Sequence, residues 1–430
     1  MKLFFFASAD IAKYVLRVGL VLLACWGVNL PAFVGTGAAG TAVGQEPSVQ
    51  PSLPVVLAGI DVLRRDGFGM LRGQRVGLIT NQTGRCRDGT STAQLLAESD
   101  QVQLTALFSP EHGFRGELDV AAIGNSTDTQ TGVEIFSLYG KTRRPTAEML
   151  DQIDVLVFDI QDIGARFYTY ISTMGEAMQA ADEHGKRFVV LDRPNPITGQ
   201  TVSGPMLDDG QESFVGFHSL PIRHAMTIGE LAKLFHAELG LTCPLDVVQC
   251  DGWRRQMWWD QTGLLWINPS PNMRNLTQAM LYPGVGMLET TNLSVGRGTD
   301  TPFEVIGAPW IDPLTFAAEL KQCKLSGVTV VPIRFTPDAS RYRDESCGGV
   351  NLIVTDREQF DPLRLGVALA VTLQKRYGQQ WNAGDAMRLL GSRPTLDAIE
   401  SGQSVDQVMS ITRAGVDEFL TRRSGHLIYD

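Results

Sequence analysis

The sequence predicts an α/β protein: a Rossmann-like parallel sheet in the first part of the chain, followed by a smaller α+β part. Two observations predict it. Apolar, β-branched runs alternate with helical stretches between residues 75 and 191, the pattern of βαβ units. After Leu191 that rhythm breaks, and a second, shorter set of helices and strands begins near residue 312.

The elements follow in order. Arg75 to Thr80 reads as a strand, Thr90 to Glu98 as a helix and Val102 to Phe108 as a strand. Glu148 to Ile153 closes a short helix before a strand over Asp154 to Ile160. Tyr170 to His184 is a long amphipathic helix stopped by Gly185, and Arg187 to Leu191 is the next strand. Thr227-Ile228-Gly229-Glu230 is a capping box opening a helix to about Leu239. Leu245 to Gln249 is a strand, and Gly252 to Trp266 is aromatic-rich and irregular. Further on, Asp312 to Gln322 and Leu363 to Arg376 are helices, Val328 to Arg334 and Val350 to Val354 are strands, and Asp385 to Arg423 is mostly helical. The boundary is placed within Asn268-Pro269-Ser270-Pro271-Asn272, giving an N-terminal domain over 55–268 and a C-terminal domain over 269–430 that completes a cleft.

The first residues read as an export signal. Lys2, Lys13 and Arg17 precede an apolar run from Val18 through Val34, and small residues follow from Gly35 to Gly44. Cleavage near Ala39 or Ala42 ranks ahead of lipidation at Cys25, because the apolar run continues past Cys25. Residues 1–44 are assigned to the signal and the start of a linker, and 45–54, rich in Pro, Ser and Gln, to the linker itself. The expected location is outside the cytoplasm, periplasmic or extracellular. Membrane attachment is expected only through a lipid or an uncleaved anchor.

Composition narrows the function. A net charge of −10 argues against nucleic acid as a partner, since phosphate neutralisation needs clustered Lys and Arg. Five cysteines remain after Cys25, widely spaced, with no Cys-x-x-Cys and no His-Glu-x-x-His. Neither a disulfide framework nor a metal site is expected. Cys243 and Cys250 are close enough to pair, but small buried residues are the better reading. The first strand runs into Asn81-Gln82-Thr83-Gly84-Arg85, neither a Gly-x-Gly-x-x-Gly nor a P-loop, so no nucleotide cofactor is expected.

Four clusters carry the chemistry. Ser109-Pro110-Glu111-His112-Gly113-Phe114-Arg115-Gly116 presents an acid, an imidazole and a guanidinium at a strand's carboxyl end, where open α/β sheets bind ligands. A carboxyl group there suits general acid catalysis; the bland alternative is a polar turn. Asp159 to Tyr170 crowds Asp159, Asp162, Arg166, Tyr168 and Tyr170 into one strand-to-helix turn. The alternative is that Asp162 caps the helix, Arg166 pairs with it, and the tyrosines are core, which for Tyr170 is the better reading. Asp192-Arg193-Pro194-Asn195-Pro196 is a loop stiffened by prolines. Leu288 to Asp300 is dense in donors and acceptors, including Glu289, Asn292, Ser294 and Arg297.

These segments, with Leu191 to Pro196 and Pro271-Asn272-Met273, recur in this order in one family. From about Gly59 to the C-terminus, the chain resembles the DUF1343 family of exo-β-N-acetylmuramidases. The resemblance implies a Rossmann-like domain, a smaller C-terminal domain and an active site in the cleft between them. It implies release of N-acetylmuramic acid from non-reducing ends of peptidoglycan fragments, with muramic-acid-terminated saccharides as partners and no cofactor. The family's catalytic glutamate falls on Glu111. Ser109, Arg274 and Thr290 depart from the residues common in the family.

Glycosidases normally use two carboxyl groups, and Asp159 is the first candidate for the second, with Glu289 behind it. The 2-acetamido group of the substrate is a third way to supply the nucleophile. His112, Asp162, Tyr168, Asp192, Asn195, Asn272, Asn292 and Ser294 are expected around the sugar. Arg115, Arg166, Arg193 and Arg297 are candidates for the lactyl carboxylate of muramic acid, which suits a guanidinium fork. The alternatives are a non-catalytic wall-binding protein and a nucleotide-using Rossmann-type enzyme.

Overall fold

A computed structural model describes residues 55–116, 124–140 and 142–430. The signal and linker readings over 1–54, Cys25 included, lie outside the described residues.

The chain opens with α1 (Gly59–Arg65) and β1 (Arg75–Thr80), then α2 (Thr92–Glu98) and β2 (Gln103–Ser109). The short β3 (Ser126–Thr127) and β4 (Glu134–Ser137) follow, then α3 (Ala147–Leu150), β5 (Val155–Asp159), α4 (Tyr170–Glu183) and β6 (Arg187–Leu191). Two strands then pair separately, β7 (Ser203–Met206) with β8 (Pro221–Arg223). After α5 (Ile228–Glu238), β9 (Leu245–Val248) returns to the main sheet. That sheet has seven strands in the order β3-β4-β2-β1-β5-β6-β9, and every pairing but β3 with β4 is parallel. From β1 the chain winds outward to β2 on one side, then from β5 to β6 and β9 on the other. The switch of direction falls between β1 and β5, where doubly wound sheets open a crevice.

Sequence periodicity placed β1, β2, β5, β6 and β9 to within a residue or two, because central strands are buried on both faces and read as continuous apolar runs; the short β4 was not expected. In β5 all five residues are buried. The Thr227 cap is also as expected: its hydroxyl accepts from the Glu230 amide while the Glu230 carboxylate accepts from the Thr227 amide.

Beyond Pro269 come α6 (Leu276–Val285), β10 (Val305–Ala308), α7 (Pro313–Gln322), β11 (Val328–Phe335), β12 (Cys347–Val354), α8 (Pro362–Tyr377) and four short helices, α9 (Met387–Leu390), α10 (Arg393–Glu400), α11 (Val405–Ile411) and α12 (Val416–Ser424). β10, β12 and β11 form an antiparallel sheet in that order. The helix α6 gave no sequence signal because Pro283 lies inside it and reads as a breaker. It packs on α8 at very close range: a Cβ on Gly284 would sit 1.9 Å from the Pro362 carbonyl oxygen.

One hydrophobic cluster runs across Pro269. It includes Phe158, Phe188 and Phe235 from the first part and Tyr282, Phe316, Leu369 and Phe419 from the second. The C-terminus returns to the main sheet, where the Tyr429 hydroxyl donates to Asp192 Oδ2 at 2.5 Å and Arg422 pairs with Glu238 at 2.6 Å. Cys86, Cys243, Cys250, Cys323 and Cys347 are free thiols.

Candidate active site

Glu111 follows β2 directly. Pro110 ends the strand, and His112 and Gly113 then take left-handed backbone, φ 69 and 77. The chain folds back on itself there, the Gly113 amide reaching the Pro110 carbonyl at 3.1 Å. On the other side of β1, the loop after β5 leads into α4 and presents Tyr168, Thr169 and Tyr170. Thr169 Oγ1 donates to Glu111 Oε2. Loops from both sides of the switch point thus meet at one carboxylate.

The second part of the chain closes the site. Glu111, His112, Phe167, Tyr168, Thr169 and Tyr170 line a cavity of about 650 Å³ together with Val215, Ser270, Met273, Tyr282, Glu289, Arg297, Phe303 and Leu389. Its floor is aromatic: Tyr168 meets Tyr170 and Tyr282 edge-on at 5.1 and 5.8 Å, and Tyr282 meets Phe303 at 4.7 Å. Burial pushes the Tyr168, Tyr170 and Tyr282 phenols well above their usual range, so they stay protonated. The Tyr170 hydroxyl donates to the Pro269 carbonyl, and Gln82 Nε2 donates to the Asn268 carbonyl at 2.7 Å. These bonds set Ser270 and Met273 against the cavity. Glu289 and Arg297 form an ion pair, with Arg297 also 5.7 Å from the Phe303 ring.

The remaining site candidates are elsewhere. Asp159, expected as the second carboxylate, is fully buried and does not line this cavity. Arg193 grips it from two directions, Nε to Oδ1 at 2.5 Å and Nη2 to Oδ2 at 2.9 Å, and Thr92 donates to Oδ2. Arg193 is therefore committed to Asp159 rather than to a ligand. Arg166 is also fully buried. Its guanidinium donates to the carbonyls of Pro205, Leu220, Leu389 and Leu390 at 2.7–3.0 Å, and burial lowers its pKa to about 9. It holds α9, and with it Leu389, against the cavity. It does not pair with Asp162, whose Oδ2 accepts from the Gly164 amide at 2.7 Å.

Asp192 is a buried acceptor for the Arg193 and Gly229 amides and the Thr227 and Tyr429 hydroxyls. Asn195 locks its loop by accepting from the Ile197 amide and donating to the Met226 carbonyl. Asn292 ties down residues 380–382 in the same manner. Asn272 is buried in the turn after Pro271 and lies outside the cavity lining. Ser294 lines a neighbouring cavity. Arg115 lines another, with Ser109, His112, Phe114 and Asp128, and reaches Thr129 Oγ1 at 3.3 Å. Sequence reasoning omitted Thr169, Ser270, Tyr282, Phe303 and Leu389 from the site. Thr169 was within reach, one residue past Tyr168; the others carry no local signal.

A doubly wound, mostly parallel sheet beside a cavity lined from both parts of the chain places the protein among the α/β proteins. Two family descriptions match: residues 76–277 match "Exo-beta-N-acetylmuramidase NamZ, N-terminal", and residues 280–429 match its C-terminal counterpart. The chain belongs to the NamZ family, also called DUF1343. It is 42% identical over 399 residues to the peptidoglycan beta-N-acetylmuramidase NamZ of Bacillus subtilis (strain 168), covering 92% of this chain and 96% of that one. A crystal structure of a DUF1343 family protein from Bacteroides fragilis NCTC 9343 superposes with a TM-score of 0.82 at 36% identity, over 88% of this chain and 100% of that one. A second from the same organism gives 0.72 at 31% identity, over 87% and 99%.

Proposed function

We propose that this chain is an exo-acting glycoside hydrolase that releases N-acetylmuramic acid from the non-reducing ends of peptidoglycan fragments, with Glu111 as its acid/base. One observation carries the site assignment: Glu111 and Glu289, from opposite halves of the sequence, line one cavity with an aromatic floor. Family membership supplies the reaction class.

The terminal sugar packs against Tyr168, Tyr282 and Phe303. Glu111 protonates the glycosidic oxygen as the bond from that oxygen to C1 breaks, and the shortened saccharide leaves as the alcohol. Thr169 orients the carboxyl group. Positive charge developing at C1 and the ring oxygen is answered by Glu289 or by the sugar's own 2-acetamido group. Water then adds at C1 and returns a proton to Glu111, which restores the starting state. Of the guanidinium candidates, Arg166 and Arg193 are spent on carbonyls and on Asp159, and Arg297, paired with Glu289, is the one that lines this cavity. The N-terminal pattern read as an export signal supports action outside the cytoplasm, where wall fragments are met; recovery of a shortened chain in the exported fraction tests that location.

Glu111→Gln keeps the shape and removes the proton. General acid–base catalysis contributes roughly 10²–10⁴-fold. The variant should lose that much turnover on an unactivated muramic-acid-terminated disaccharide, with its melting temperature unchanged. Near-full activity excludes Glu111 as the acid. If the wild-type protein binds the disaccharide but releases no free N-acetylmuramic acid, it is a binding protein.

A further inference from the structure

Behind the Glu289–Arg297 pair lies a second cavity of about 540 Å³, lined by those two residues with Leu293, Ser294, Val295, Ser340 and Arg341. The pair is therefore the shared wall of this space and the Glu111 cavity. The outer wall belongs to the long loop between β11 and β12. Ser340, Tyr342 and Asp344 in that loop all take left-handed backbone, φ 64, 60 and 61. Such conformations in residues with a Cβ persist where the surroundings over-determine them, and they gather at ligand clamps.

The surroundings here do fix the loop. The Tyr342 hydroxyl donates to the Asn292 carbonyl at 2.8 Å and accepts from Trp310 Nε1 at 3.3 Å. The Asp338 amide donates to the Gly298 carbonyl at 2.7 Å. A Cβ on Gly298 would fall 2.4 Å from the Ala339 carbonyl oxygen, so only glycine lets the two loops touch. The loop thus holds Arg341 at the cavity mouth. Arg341 is exposed and makes no hydrogen bond or ion pair with another described residue. Two guanidinium groups and one carboxylate leave this cavity with a net positive charge, in a chain whose formal charge is −10. A guanidinium fork with donors to spare is matched to a carboxylate.

We propose that the second cavity receives a carboxylate-bearing substituent of the terminal sugar, with Arg341 as a specificity-determining residue. The inference rests on the glycosidase reading, which seats the ring beside Glu111 and directs one substituent past Arg297. The carboxylate has two sources in peptidoglycan. It is the free lactyl group of muramic acid, or it belongs to a peptide joined to that lactyl group.

The test compares wild type, Arg341→Ala and Arg341→Lys on three aryl β-glycosides: the muramide with a free lactyl group, the same muramide bearing a short acidic peptide, and the N-acetylglucosaminide. A single charge-assisted contact at a partly exposed site is worth about tenfold in affinity. The preference of Arg341→Ala for an acidic substrate over the neutral one should fall by about that factor, through KM rather than kcat, with partial rescue in Arg341→Lys. A fall with the free muramide identifies the lactyl carboxylate; a fall confined to the peptide-bearing substrate identifies the peptide. An unchanged preference on both overturns the proposal, as does an equal loss on all three. Calorimetry of free N-acetylmuramic acid against N-acetylglucosamine repeats the comparison without turnover. Failure of the wild type to cleave any of the three sinks the glycosidase reading separately.

Discussion

Two groups of charged residues sit at the carboxyl edge of the same sheet and are built in opposite ways. At the ends of β5 and β6, Asp159, Asp192 and Arg193 are buried, and hydrogen bonds from inside the protein occupy their polar atoms. At the end of β2, Glu111 lines one cavity with Glu289 and Arg297, and the Thr169 hydroxyl donates to its Oε2. Both groups look equally chemical as residue types. The first is saturated and serves as a clasp: it ties the strand ends, the Thr227 cap and the C-terminal Tyr429 together. The second retains a face for a ligand. A charged residue at a sheet's ligand edge is a site residue only if the fold has left it something to bind.

The sharpest way to break that comparison is Asp159→Ala. It strands the Arg193 guanidinium in the interior, and breaking one partner of a buried pair costs about 3–5 kcal/mol. Urea unfolding should show a loss of that size. A variant that keeps its stability and loses only turnover would move Asp159 back into the active site.

A smaller effect separates the groups by pH. Burial pushes the Asp192 carboxyl up to about 6, outweighing the opposing bonds from Tyr429, the Gly229 amide and Thr227. The folded protein thus holds this proton more tightly than the unfolded chain, where the group titrates near 3.8. The resulting stabilisation is complete below that value and disappears as the pH rises through about 6. A shift of about two units corresponds to about 3 kcal/mol. Unfolding free energies measured from pH 4 to 7 should decline more steeply in wild type than in Asp192→Asn. Parallel curves would show that the bonds, not burial, govern this carboxyl.

The smallest effect is expected at Arg115, which among the described residues reaches Thr129 and lies 3.9 Å from Asp128, with most of its side chain in solvent. Arg115→Ala should alter stability by less than about 1 kcal/mol. A larger loss in thermal unfolding would mean that the turn after Glu111 depends on this side chain.

Much of the framework was legible in the residues. β1 and β6 fall on the expected residues, and β2, β5 and β9 within one or two. The elements that escaped, among them α1, β4, β7, β8, β10 and α6, are short or carry Pro283, so local pattern speaks against them. The site was legible in part. The Glu111 turn, Glu289 and Arg297 lay in conspicuous polar clusters, whereas Tyr282 and Phe303 are ordinary apolar-run residues that become a cavity floor only through packing. Asp159, Arg166 and Arg193 were misread for the converse reason: a polar cluster in sequence does not show whether its partners are inside the protein.

By itself the sequence determined the parallel sheet, the caps and the turn that presents Glu111, because buried strands need unbroken apolar runs and tight turns need particular residues. It also carried the long motifs by which the family is recognised. Only the tertiary structure decided that Glu289 lines the same cavity as Glu111, which arginines are spent on carbonyls and ion pairs, and that Arg341 lines the cavity behind them. Those outcomes depend on contacts between residues far apart in the chain, and a side chain's availability is set by everything that reaches it through space.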